Sequence, residues 1–414
     1  MKNYLETNVF EATKERINYV FDNFDDYFVS FSGGKDSGVM LNMIIEVARE
    51  RGRLPVPVLF FDWECIYKET HDFVSRMMHL PEIEPTWVCL PVTERNGSSN
   101  FQPFWRPWHK KDKELWVRDM PNFPFVVNED NMPEEWKAFY DPADHDQRFF
   151  ISYADWFAKS RSAKKVANFI GIRVQESHDR YKMLKTQKNR IKFEGRDWCY
   201  RYKQNVEEVW YTMPCYDFTT EDVWVANGKM EYDYNHIYNT MYQMGISIAD
   251  QRVCNPYGEQ QRRGLHQYHE CEPETWFKVV NRVAGANFGA FYNKTKIMSG
   301  TIPKPTGISW QEYLNIILFS LPEHTKFHYE RNFDTAVKWH QKQEEKLGRK
   351  LIWDSTEDIQ PILAEGIRIN DLLTYQLMVE TVVKGDYFCK KLFFTYTGRE
   401  KDRQNELIEN YKTD

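Results

Sequence analysis

One hexapeptide, Ser32-Gly-Gly-Lys-Asp-Ser37, constrains this chain more than any other stretch. It follows a short β-rich run, Asp26-Tyr-Phe-Val-Ser-Phe-Ser32, and leads into an amphipathic stretch from Asp36 to about Arg51. The order is therefore strand, glycine turn, helix. In such a turn successive backbone N–H groups point outward, and the helix N-terminus adds partial positive charge. Gly33 and Gly34 permit positive φ and the close approach of a polyphosphate. Lys35 supplies a mobile cation, and Ser32 and Ser37 supply hydroxyl donors. Asp36 can hold a magnesium-bound water or orient the loop. The turn is not a Walker A loop, because GxxxxGK followed by Ser or Thr does not occur.

The flanking sequence repeats the alternation. Val56 to Phe61 reads as a second buried strand ending at Asp62, residues 67–78 as a helix, and Thr86 to Leu90 as a third strand. Ala167 to Arg173 is a fourth, and residues 9–24 carry apolar side chains at helical spacing. Strands alternating with helices predict an α/β fold: a parallel sheet with flanking helices. Between Phe101 and Phe157 the pattern fails, and 15 aromatics with six prolines mark an insertion ordered by its own side chains, covering one sheet edge. From about Arg252 the chain reads as mostly helical, with helices expected over 274–284, 310–321, 334–347, 370–382 and 399–412. The expected organisation is a nucleotide-binding domain over 1–250, with the insertion at about 95–157, and a mostly helical domain over 251–414.

Composition excludes several classes. Apolar residues make up 42% and aromatics 16%, which is globular and not disordered. No apolar run approaches the roughly 20 residues of a membrane helix, and the first residues lack a signal-peptide core. A cytoplasmic protein with no membrane partner is expected. Seven cysteines, an odd number without CxxC, fit a reducing compartment. The net charge of −6 hides a segregation: Lys159 to Lys203 holds 14 Lys/Arg against 4 Asp/Glu. Arg180, Lys182, Lys185, Lys188, Arg190 and Lys192, with Arg252, are candidates for binding an anion or nucleic acid. A solvated face explains the same charges.

At the hexapeptide the sequence resembles the PP-loop ATP pyrophosphatase superfamily, whose signature is SGGxDS. The branch it looks most like contains phosphoadenylylsulfate (PAPS) reductases and the small subunit of ATP sulfurylase. Leu59-Phe-Phe-Asp-Trp-Glu64 resembles that branch's second strand ending in Asp. Gly171-Ile-Arg-Val-Gln-Glu-Ser177 resembles its GIRxxES segment. Pro214 to Trp224 is similar to PLxxWTxxDVW, and Tyr234 to Ile246 parallels NPLYDxGxxxxG. The resemblance implies an adenine nucleotide alpha hydrolase-like fold. It also implies nucleotide contacts from residues 32–37, Phe61, Asp62, Gly171, Arg173, Glu176 and Ser177, with catalytic roles for Lys35, Asp36 and Arg173. The bound nucleotide would be ATP or PAPS, with Mg2+. Arg252 to Gly264, Asn281 to Asn287 and Lys384 to Cys389 resemble a PAPS sulfotransferase-like family that includes the immunoglobulin-binding regulator A proteins. That likeness implies a ParB-like protein partner and gene regulation.

Two departures narrow the chemistry. The C-terminal ECGLH-type segment of PAPS reductases is absent, so thiol-dependent reduction is disfavoured. Cys254, His266, His269 and Cys271 form a C-x11-H-x2-H-x-C pattern of zinc-ligand types, but each has an ordinary packing or surface use, and zinc is not favoured. The expected function is nucleotidyl or sulfur-group transfer at the α-phosphate. The alternatives are a nucleotide-dependent regulator and a nucleic-acid modifier.

Overall fold

A computed structural model describes residues 6–97, 99, 101–185, 190–253, 255–258, 265–286, 302, 304–364, 368, 371–392, 394 and 398–410. The chain divides into two compact units. The first comprises 1–93, 106–255 and 267–275, and the second comprises 94–105, 256–266 and 276–414.

The first unit is built on a mostly parallel sheet flanked by helices. Its strands are β1 (Asp26–Ser30), β2 (Val56–Phe61) and β3 (Ile83–Cys89), then, beyond β4 (Glu94–Arg95) and β5 (Phe104–Trp105) of the second unit, β6 (Val126–Asn128). β7 (Val166–Ile170), β8 (Arg190–Lys192), β9 (Cys199–Tyr202) and β10 (Val209–Thr212) complete it. Their order in space is β6-β3-β2-β1-β7-β10-β9-β8. All pairs are parallel except β10–β9 and β9–β8, which run antiparallel. All six residues of β2 are buried, as expected where helices cover both faces.

Side-chain alternation sorts the two faces. Tyr27, Val29, Val58 and Phe60 pack with α1 (Val9–Asn23), α2 (Lys35–Glu50), α3 (Lys68–Met78) and, after α4 and α5, α6 (Thr220–Met230). Phe28, Leu59, Phe61 and Val88 pack on the opposite face with Phe149, Tyr153 and Phe157 of α4 (Asp146–Ser160). α5 spans His178–Lys185. The chain leaves β1 toward β2 on one side of the sheet, and it leaves β7 toward β10 on the other. The carboxyl ends of β1 and β7 therefore flank a topological switch point, where open α/β sheets leave a crevice.

The four expected strands are present, with β3 starting at Ile83 and β7 ending at Ile170. The aromatic-rich stretch supplies the edge strand β6 and the helix α4. β8, β9 and β10 were not expected, since each has three or four residues and the first two lie among the charges of the basic block.

In the second unit, helices Trp310–Phe319, Glu323–Leu347 and Tyr375–Val383 bury Trp310, Leu314, Tyr329, Phe333, Met378 and Val379 together. Ser309 and Glu312 form a reciprocal capping box at the first of these. β11 (Ile352–Trp353) and β12 (Leu373–Thr374) pair in parallel. The helix expected from residue 334 begins at Glu323, because its inner face there is lined by Thr325, His328, Tyr329 and Asn332. Polar residues carry that periodicity, so a hydrophobic pattern misses it. The helix expected over 370–382 is strand β12 followed by Tyr375–Val383, capped by the Thr374 side chain. The final helix spans Gly398–Asn410. No helix among the described residues is long and apolar enough to cross a membrane.

Candidate functional site

The hexapeptide leaves β1 at the switch point. The Phe31 amide still donates to the Leu59 carbonyl, at 2.9 Å. Gly33 then takes φ +72°, and Gly34, in extended backbone, is the N-cap of α2. A Cβ on Gly33 would lie 2.7 Å from Val74 Cγ2, so both conformation and space require glycine. The Ser37 hydroxyl donates to the Gly34 carbonyl at 3.1 Å and lies 2.9 Å from Ser32 Oγ, so the two serines brace the loop. On the neighbouring strand end, a Cβ on Gly171 would fall 2.8 Å from Ser37 Cα and 2.9 Å from its backbone N. The loops after β1 and β7 thus touch backbone to backbone.

Charges gather around that contact. Lys35 is only 6% exposed, and its ammonium donates to the Gln251 carbonyl at 3.1 Å while lying 3.9 Å from Asp36. Burial lowers its pKa, opposed by the Asp36 carboxylate. Arg173 is 2% exposed and grips Asp36 with two nitrogens, Nε at 2.7 Å and Nη2 at 3.4 Å. Its Nη1 donates to the Phe218 carbonyl and to Gln175. Arg252 donates to the Glu176 carbonyl at 3.1 Å. The Arg180 amide donates to Ser177 Oγ, and its guanidinium lies 3.8 Å from Glu176. Ser32 to Ser37, Gly171, Arg173, Glu176, Ser177, Arg180 and Arg252 therefore form one constellation.

Asp62 has a different task. It is fully buried, and its carboxylate accepts from Trp87 Nε1 at 2.8 Å, from the Glu64 amide at 2.9 Å and from Arg118 at both oxygens. Its own carbonyl accepts from Trp108 Nε1. The residue anchors the segment around 108–118 and turns its carboxylate away from solvent. Glu64 does the same, accepting from the Trp108 and Val117 amides. The Phe61 ring packs against Trp63, Phe149 and Phe150.

The basic block is not one surface among the described residues. Lys159 lies 3.5 Å from Glu207, Lys192 pairs with Asp197, Arg161 with Glu84, and Arg196 with Glu194. Arg190 lies over the rings of Tyr200 and Tyr202. Lys182 is exposed. Lys188 and the Lys185 side chain lie outside the described residues. The described cations of the block are spread over helices α4 and α5, strands β8 and β9 and the turns between them. Cys254 and the His266 side chain also lie outside the described residues. Among those described, no group of three or more His, Cys, Asp or Glu is placed to hold a metal ion.

Three contributors carried no role in the sequence reading. Asn235 donates to the Gly33 carbonyl at 2.9 Å and to Thr70 Oγ1 at 2.8 Å. Tyr238 Oη accepts from the Lys35 amide at 3.2 Å. Gln251 holds the lysine. The first two stand in the Tyr234–Ile246 string, so the signal was present, but only the fold aims them at the loop.

Residues 26–244 match the phosphoadenosine phosphosulfate reductase domain, and 245–369 match a domain of unknown function (DUF3440). The chain belongs to the phosphoadenosine phosphosulfate reductase domain family. It is also 32% identical over 416 residues to the uncharacterized protein YbdN of Escherichia coli strain K12, covering 98% of this chain and 95% of that one. Among solved structures, FMN adenylyltransferase of Candida glabrata aligns with TM-score 0.32 and 14% identity, over 56% of this chain and 57% of its own. The PAPS reductase of Candida auris aligns at 0.28 and 12%, over 57% and 93% of the two chains. The U34-tRNA thiolase NcsA of Methanococcus maripaludis aligns at 0.30 and 11%, over 74% and 85%.

Proposed function

We propose that this chain binds ATP, or a sulfated adenosine nucleotide such as PAPS, at residues 32–37 and acts at its α-phosphate. The observation that carries this reading is the meeting of the two glycine loops at the switch point, with buried Lys35 and Arg173 on either side of Asp36. In adenylyl transfer an acceptor nucleophile attacks the α-phosphorus, the bond to the bridging oxygen breaks, and pyrophosphate leaves with the electron pair. Loop amides and the two cations are suited to stabilise charge developing on the phosphates, through positioning and electrostatics alone. A polyphosphate would compete with the Gln251 carbonyl for Lys35 and with Asp36 for Arg173. Both Asp36 oxygens are engaged by Arg173, and no step is assigned to magnesium.

Thiol-dependent PAPS reduction does not fit the described cysteines. Burial pushes the thiols of Cys215 and Cys389 up to about 12, and that of Cys271 up to about 11. The second reading, a nucleotide-responsive regulator, is favoured by one observation: Lys35 and Arg173 already hold protein partners, as suits a site that reports its own occupancy. A ParB-like or nucleic-acid partner belongs to that reading.

Calorimetric titration with ATP and with PAPS tests the common core of both. Lys35→Ala is expected to weaken binding by about 1.5–3 kcal/mol, the size of one charged hydrogen-bond partner. Unchanged affinity with an intact fold would refute the assignment. Pyrophosphate release from ATP then separates enzyme from regulator.

A further inference from the structure

The loop meant to receive phosphate is occupied by the protein itself. Tyr238, 3% exposed on α7 (Ile237–Gln243), engages Lys35 at two points. Its hydroxyl oxygen accepts from the Lys35 amide at 3.2 Å, and its ring face lies 5.1 Å from the Lys35 ammonium. The same ammonium donates to the carbonyl of Gln251, which is itself 1% exposed. Val253 closes the other side, since a Cβ on Gly34 would lie 3.4 Å from Val253 Cγ2 and 3.5 Å from Tyr238 Oη. Arg252, between them, is tied to the Glu176 carbonyl across the paired loop. Gln251 and Tyr238 therefore engage the Lys35 ammonium and amide, two of the donors that a phosphate at this loop would use.

We infer that Tyr238 is a gate on this site: the tyrosine hydroxyl and the Gln251 carbonyl hold the Lys35 donors, and a phosphate binds by displacing both. The inference rests on the proposed nucleotide reading and deepens it. Phosphate and protein compete for the same donors. An N–H at a helix start makes one good hydrogen bond in a given direction, and a phosphate oxygen is a stronger acceptor for it than a neutral phenol. The Lys35 ammonium, desolvated, hydrogen-bonded to a neutral carbonyl and 3.9 Å from Asp36, gains more from a phosphate than it loses by leaving Gln251. Exchange of partners removes one of the ties on residues 251–253, the Lys35 bond to the Gln251 carbonyl, so occupancy is converted into loosening of a defined segment. Tyr238 is a positioning residue here, acting through Lys35.

The test uses the full chain, with inorganic pyrophosphate and ATP as probes. Tyr238→Phe keeps the ring under the ammonium and removes the competing oxygen. It is expected to bind both probes about three- to tenfold more tightly than wild type, the size of one neutral hydrogen bond. Equal or weaker binding by a folded variant overturns the gate. A second arm needs no variant: amide hydrogen exchange of the wild type should speed up over 246–253 when ATP is added, and added protection there overturns the gate. Binding by both proteins with equal affinity sinks the gate and leaves the nucleotide site standing. Binding by the variant alone supports a tight gate. No binding by either sinks both.

Discussion

A single methyl group separates glycine from alanine, and at position 171 that is enough to force two loops apart. The clash would be with the Ser37 backbone, which cannot rotate away as a flexible side chain could. Gly171→Ala is therefore expected to cost about 1–3 kcal/mol of stability, the usual penalty of overpacking. If the loop binds nucleotide as proposed, ATP affinity should fall at least as far as in Lys35→Ala, because the shift moves the loop amides. Denaturant melts and calorimetry on the one variant check both parts, and wild-type values in both would refute the contact. A different residue-scale expectation concerns the thiols. Incubation with PAPS and reduced thioredoxin should yield no sulfite, and sulfite release abolished by Cys254→Ser or Cys271→Ser would overturn this. The loop itself was legible in the sequence because its demand is on backbone, and only glycine answers it. Asp62 was not, because a carboxylate at a strand end does not reveal what it faces. Its partner Trp87 stands on the neighbouring strand β3, and Trp108 and Arg118 come from the insertion, up to 56 positions away.

Most elements with an apolar period match the expectation from sequence, but β10, buried at all four positions, and the amphipathic α4 do not. β1, β2, β3 and β7 announce themselves as β-rich runs, while β8 and β9 carry Arg190, Lys192 and Arg201 and read as charge. The first half of the helix Glu323–Leu347 hides its inner face behind His328 and Asn332. The short helix α7 illustrates a different limit, since its sequence likeness was visible but its task was not. Asn235, just before α7, binds the Gly33 carbonyl, Thr70 Oγ1 and, through Oδ1, the Ile237 amide. It joins the loop, α3 and α7 through one fully buried side chain. Asn235→Ala would leave the Gly33 carbonyl without this donor, at a cost of about 1–3 kcal/mol. Exchange of the Gly33 and Gly34 amides should accelerate in that variant while exchange in β1 and β7 stays slow. Uniform acceleration across the sheet would instead mark Asn235 as a general core residue.

For the molecule as a whole, one buried polar group of the second unit makes stability readable by pH. The second unit holds His328, fully buried and stacked on the Tyr387 ring at 3.7 Å. Its Nε2 lies 2.5 Å from the Tyr387 carbonyl, so the neutral ring carries its proton there. Protonation would fall on Nδ1, a buried atom with no hydrogen-bond partner among the described residues. Burial lowers the pKa from 6.5 to about 4, the Tyr387 carbonyl opposes this, and Arg403 and Arg331 add to it. The folded pKa lies below the unfolded one, so the unfolded chain takes up the proton first as pH falls. The contribution is complete above the ordinary value near 6.5 and is lost progressively as pH drops toward 4. One proton corresponds to about 1.4 kcal/mol per pH unit in that window, or about 3 kcal/mol across it. A chain of two units does not promise a single transition, so the measurement should be local: hydrogen exchange along Glu323–Leu347, compared with β1 and β7, between pH 7 and pH 5 and corrected for intrinsic rates. The opening free energy of the helix is expected to fall with pH in wild type and to flatten in His328→Gln, whose amide can still donate to the Tyr387 carbonyl. An equal slope in the two proteins would show that another group drives the acid sensitivity of the unit.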